Sequence, residues 1–210
     1  MSDKEKYYKT AFALAIFTIV YNLIEGIIAM FLGAEDDSLT LFGFGIDSFI
    51  EFISGLGIIQ MVIRIRENPD TKRGEFEKTA LKITGVSFYL LVAGLISAGA
   101  YNAYKGINPS TTFWGVVISV VSIIVMLILL RGKMRTGKAL NSEAILADAG
   151  CTRVCIYMSL VLLASSGIYQ LTRWPYIDVA GSAGLAWFSF LEGKECFEKA
   201  RSDKYCACEH

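Results

Sequence analysis

Histidine and proline are nearly missing from this 210-residue chain, which has one His, at its last position, and three Pro. A lone terminal His leaves no Ser/His or Cys/His dyad inside the apolar tracts, and no glycine loop of the phosphate-cradling kind is present. An enzyme is therefore the least favoured class. Charge is also scarce. Asp, Glu, Lys and Arg make up 19% of the residues, against about 25% in a soluble domain. Acidic and basic side chains balance at 20 each, so no cationic excess points to nucleic acid. The cysteines number five, an odd count that does not suit a disulfide framework. What is abundant is apolar: 54% hydrophobic, 12% aromatic, and a mean hydropathy of +0.48. That composition excludes disorder, a collagen-like fibre and a coiled coil.

Crossing a bilayer takes about 20 mostly apolar residues. Six stretches meet that need: Ala11–Gly33, Leu39–Ile65, Thr79–Tyr104, Thr111–Leu130, Ser142–Gln170 and Tyr176–Phe197. The second and fifth are long enough to tilt or to project into water. The first lacks a small-residue cleavage site and is followed by a second span, so it does not read as a removed signal peptide. The predicted fold is all-α, a six-helix transmembrane bundle over residues 11–200, with an N-terminal segment 1–10 and a tail 201–210. Pro69, Pro109 and Pro175 fall between spans, where they punctuate loops.

Orientation follows from the cations of the short connections. Seventeen of them fall on one side, in the N-terminus, the second and fourth connections and the tail. The other side has only Lys105 and Arg173, beside the acidic run Glu35–Asp36–Asp37. The bias places both termini in the cytoplasm, as in a multi-pass protein of a bacterial inner or plasma membrane. Cys196, Cys206 and Cys208 then lie at the reducing, cytoplasmic end, and Cys151 and Cys155 lie mid-span.

Ionisable groups in hydrocarbon are costly, so each is a functional candidate. They are Glu25 in the first span, Asp47 and Glu51 in the second, Asp148 and Arg153 in the fifth, and Asp178 at the start of the sixth. Asp47 and Glu51 are four apart, as are Cys151 and Cys155, so each pair projects from one helix face. Counting residues from the span ends puts both pairs near mid-membrane. Facing each other, they supply two oxygens and two sulfurs to a divalent ion such as zinc, cadmium or mercury. Hydrocarbon favours the uncharged, protonated forms, so a dication and protons compete for one place. The plainer readings are small buried cysteines that merely pack, and carboxylates that reach the interface. Arg153 projects about 160° away from the cysteines and is expected to pair with Glu25 or Asp148. Asp148 is otherwise an access ligand. Asn22 and Glu25 either line the cavity or bind neighbouring helices.

The motif order resembles the cation diffusion facilitator family of metal/proton antiporters. Ser38-Leu39-Thr40-Leu41 and then Asp47-Ser48-Phe49-Ile50-Glu51 resemble its second helix, and Ser142 followed by Ala147-Asp148 through Cys151 to Cys155 resembles its fifth. Tyr21-Asn22, Glu25-Gly26, Asp178 and Glu192-Gly193-Lys194-Glu195 extend the likeness over nearly all of Ala11–Arg201. The resemblance implies six spans, cytoplasmic termini and a midplane metal site formed by Asp47, Glu51, Cys151 and Cys155. Glu51 and the two cysteines stand where the family's pattern has Asp, His and Asp. Soft donors move the expected substrate towards zinc or cadmium, with mercury, lead and copper(I) open. The chain stops at His210, so the resemblance implies a short form without the family's cytoplasmic domain, and a homodimer stays open. Cys206, Cys208 and His210 form a candidate metal-capture tail, or simply a disordered end.

The expected activity is export of a divalent, thiophilic metal in exchange for protons, with no prosthetic group and no nucleic-acid partner. The rivals are a membrane metal sensor or accessory protein that binds without transporting, and a structural or lipid-binding bundle.

Overall fold

The computed structural model describes residues 3–68, 74–107, 109, 112–174 and 176–202. These form six helices and, among the described residues, no strand: α1 (Asp3–Glu35), α2 (Leu39–Glu67), α3 (Glu75–Lys105), α4 (Phe113–Leu140), α5 (Glu143–Thr172) and α6 (Ile177–Arg201). The first five are long and apolar enough to cross a membrane. Helix α6 is less apolar because it carries Asp178, Glu192, Lys194, Glu195 and Lys199, of which Asp178, Glu192 and Lys199 are buried inside the bundle.

Exposure runs opposite to that of a water-soluble protein. Phe17, Ile24, Phe31, Leu90, Ile128 and Trp187 face outward, while Asn22, Glu25, Asp47, Ser122, Ser159 and Ser189 are buried. Lipid solvates the apolar exterior, and polar side chains serve as contacts between helices. Tyr101, Tyr104, Phe113, Trp114, Trp174 and Tyr176 are exposed at one end of the bundle, the level at which aromatics meet headgroups. The same end carries Glu35–Asp37, and Asp36 is buried there. Burial, and the charges of Glu35 and Asp37, hold the Asp36 carboxyl above its ordinary range. This is the acidic end; the opposite one, where α1 begins and α6 ends, is the basic end.

Helices α1 and α2 form one tight hairpin, α4 and α5 another, and α3 pairs with α6 rather than with a sequence neighbour. The α1–α2 contact is backbone to backbone. A Cβ on Gly33 would meet the Phe42 backbone, and one on Gly45 would meet Met30. Helix α2 is central, touching α1, α3, α5 and α6.

The start of α2 is tied to α6. Asp178 accepts from Ser38 Oγ at 2.9 Å, from the Leu39 N–H at 2.8 Å and from the Thr40 N–H at 3.2 Å. Ser38 Oγ in turn caps the Leu41 N–H. A carboxylate on free amides at a helix N-terminus satisfies donors that lipid cannot, and it complements the helix dipole. Asp178 is therefore a structural lock.

The helices outrun the apolar spans. Helix α4 continues ten residues past Leu130, taking up Arg131, Lys133, Arg135 and Lys138, so its connection to α5 is only Asn141 and Ser142. Lys, Arg, Met and Leu are good helix formers, and a helix need not stop where the hydrocarbon does. Asn141, left-handed at φ 49°, ends α4, and Ser142 caps α5.

Replacing Asp178 with Ala should destabilise the detergent-purified protein by about 2 kcal/mol. Asp178→Asn should lose less. Thermal unfolding followed by circular dichroism measures both; an unchanged midpoint for Asp178→Ala would remove the lock.

Candidate metal centre

Helical spacing puts Asp47 and Glu51 on one face of α2, and Cys151 and Cys155 on one face of α5. The Cys155 thiol donates to Glu51 Oε1 at 2.7 Å. Asn22 Nδ2 donates to Glu51 Oε2 at 3.0 Å, so both oxygens of this carboxylate are held. Cys155 Sγ also lies 3.2 Å from the Cys151 carbonyl. One turn of α2 towards the acidic end, Asp47 is only 3% exposed, and its Oδ1 has no hydrogen-bond partner among the described residues. Cys151 turns to α6, where its Sγ accepts from Lys199 Nζ at 3.2 Å. The described cysteines 151, 155 and 196 are all free thiols.

A cavity of about 80 Å³ joins these groups. Glu51 and Cys155 line its deep end, followed by Cys151, Asp148 and Thr152, with Glu192, Cys196 and Lys199 on the α6 side. It runs towards the basic end past Ile58 and Met61 of α2 and Ala144 of α5. Asp47 is buried just beyond it. The space exceeds the roughly 30 Å³ that a water occupies in the liquid. Among the described residues, no three His, Cys, Asp or Glu side chains stand close enough to hold one ion. The structure thus joins Glu51 to Cys155 directly and brings Cys151 and Asp148 to the same cavity, while Asp47 sits one turn deeper. Cys206, Cys208 and His210 lie outside the described residues.

Asp148 is paired, but with Lys133: Nζ donates to Asp148 Oδ1 at 3.0 Å and to Thr152 Oγ1 at 2.9 Å. Arg153, expected to pair with Asp148 or Glu25, does neither. Glu25 Oε1 accepts from the Tyr21 hydroxyl at 2.7 Å, and Ser48 Oγ lies 3.2 Å from Oε2. The expectation fails because Lys133, counted as a loop cation, sits on a continuing helix and points inward. Asn22 meets both of its expected roles, lining the cavity and binding α2.

Sequence reasoning missed three cavity residues on α6. Glu192 and Cys196 are four apart, a third acid or thiol pair on one helix face, and Lys199 continues that face. The i,i+4 spacing was a usable signal.

The model of the cation efflux transmembrane domain matches residues 11–203. The chain belongs to the cation efflux family. Membership bears out the resemblance to the cation diffusion facilitators, and with five apolar helices it makes the chain a multi-pass integral membrane protein. The manganese efflux system protein MneP of Bacillus subtilis (strain 168) is 28% identical over 203 residues, 90% of this chain and 65% of that protein. Transmembrane protein 163 of Xenopus laevis is 25% identical over 185 residues, 87% of this chain and 64% of its own length. The chain thus spans slightly under two thirds of both relatives.

Lys133→Met should strand the half-buried Asp148 carboxylate and cost about 3 kcal/mol of stability. Adding Asp148→Asn should recover most of that, and Arg153→Met should cost far less. Thermal midpoints of the purified variants decide; equal losses at Lys133 and Arg153 would contradict the pairing.

Proposed function

We propose that the chain exports a divalent, thiophilic metal ion from the cytosol in exchange for protons, with Asp47, Glu51, Cys151 and Cys155 as its ligands. The observation that carries this reading is the Cys155 thiol donating to Glu51 at 2.7 Å at the deep end of the cavity. A dication that takes both that sulfur and that oxygen must displace the proton between them. Metal and proton then exclude each other at one place, which is the thermodynamic requirement for exchange.

Family membership supports metal cation export as the coarse activity. The cation bias supports a cytosolic basic end, so the cavity is the cytosolic approach to the site. Asp148, at its side, would guide the ion inward once released from Lys133, and Cys206, Cys208 and His210 would gather it from the cytosol. The relative's name concerns manganese, a metal that prefers oxygen donors. Two thiols in this chain favour zinc or cadmium.

Proteoliposomes with an acidic lumen test the proposal. External Cd(II) or Zn(II) should enter as the lumen alkalinises, and Mn(II) should enter more slowly. Asp47→Asn, and the pair Cys151→Ala with Cys155→Ala, should each reduce uptake at least tenfold. Binding without gradient-driven flux would point to a sensor or accessory protein instead. Undiminished uptake by the double cysteine variant would leave the thiols as packing groups.

A further inference from the structure

The cavity already contains a cation of the protein's own. Lys199 is 7% exposed, and its ammonium group lies 3.2 Å from Cys151 Sγ and 2.7 Å from Glu195 Oε1. A positive charge bonded to a thiol and a carboxylate occupies the kind of environment that a thiophilic metal ion requires. Resting on the proposed four-ligand site, we propose that Lys199 is a tethered stand-in for the transported ion: it holds Cys151 while metal is absent and must withdraw from that sulfur before metal can bind.

Three observations support this. First, the Cys151 sulfur cannot serve both partners well. A Zn–S bond is about 2.3 Å long, so an ammonium kept 3.2 Å from the same sulfur would face a bound dication across a thiolate whose single negative charge must answer both cations. Second, the hold on Cys151 is weaker than the contact with Glu195. Sulfur is a poor acceptor, whereas the Glu195 bond is short and charge-assisted. Third, there is a place to retreat to. Glu195 is one turn before Lys199 on α6, and its side chain is 30% exposed, far more open than the lysine. Lys133 differs in bonding two oxygens of α5, those of Asp148 and Thr152, rather than a sulfur. Exchange of one charge for another also keeps the interior of the bundle close to neutral as metal arrives, which lowers the cost of placing a dication in hydrocarbon.

Calorimetric titration of the detergent-purified 210-residue chain with Cd(II) tests the idea. Lys199→Met should bind Cd(II) at least fivefold more tightly than wild type, because no internal cation has to leave. Lys199→Arg, which keeps the charge, should stay within about twofold of wild type. The gain should fall below twofold when Lys199→Met is made in a Cys151→Ala background, since the competition is for that sulfur. A gain that persists in full without Cys151 would reduce Lys199 to a general repulsive field and overturn the proposal, as would an unchanged or weaker affinity in Lys199→Met. Should that variant fail to fold, Lys199→Gln, which keeps length and a donor, takes its place with the same expected gain. Cys155→Ala separates this idea from the site it rests on: if Cd(II) binding is indifferent to Cys155, the four-ligand site fails whatever Lys199 does.

Discussion

Carboxylates, thiols and lysines share the interior of a bundle whose outside is lipid, and each must be neutralised or hydrogen-bonded there. In water the cost of an unpartnered charge is small, but in hydrocarbon it is prohibitive. The bundle meets this constraint locally. Glu51 is held by Asn22 and Cys155, Glu25 by Tyr21 with Ser48 beside it, Asp178 by the start of α2, and Asp148 by Lys133. Among these groups, Asp47 has one oxygen that no described residue satisfies. It lies one helical turn from Glu51, so the interior polar network has an open acceptor beside its proposed metal ligands.

Much of this was legible in the sequence because two periodicities survive without tertiary information. Apolar runs long enough for a bilayer gave the helices, and i,i+4 spacing gave the acid pair and the thiol pair. The contact between Glu51 and Cys155 joins one member of each. The roles of Lys133 and Lys199 were not legible. Counting cations by connection assumes that a helix ends with its apolar span, yet α4 and α6 carry these lysines on buried faces. Arg153 was misjudged for the same reason, since a nearer cation for Asp148 was hidden in what read as a loop. Asp178 looked like an intramembrane functional group; its role as a cap depends on where the α1–α2 turn falls relative to α6, which spacing along one chain does not reveal.

Several contacts that set the fold lie apart from the proposed metal ligands. Backbone contacts through Gly33 and Gly45, the serine pair Ser122–Ser159 at 3.0 Å and the Asp178 cap position the helices without using a sulfur atom. The thiols of α5 add to that frame, Cys155 by packing with Met126, Leu129 and Ile156 and by its bond to Glu51, and Cys151 by its contact with Lys199.

The pairing of α3 with α6 bears on how the protein is made. Helices α1 and α2 are sequence neighbours that can pack as soon as both are made, and so can α4 and α5, whereas α3 meets α2 early but gains its largest partner only when α6 is made. Until then Cys151 lacks its lysine and the first turn of α2 lacks its carboxylate. Insertion machinery that shelters a half-built bundle from lipid would have most to do during that interval, before α6 joins α3 and the start of α2.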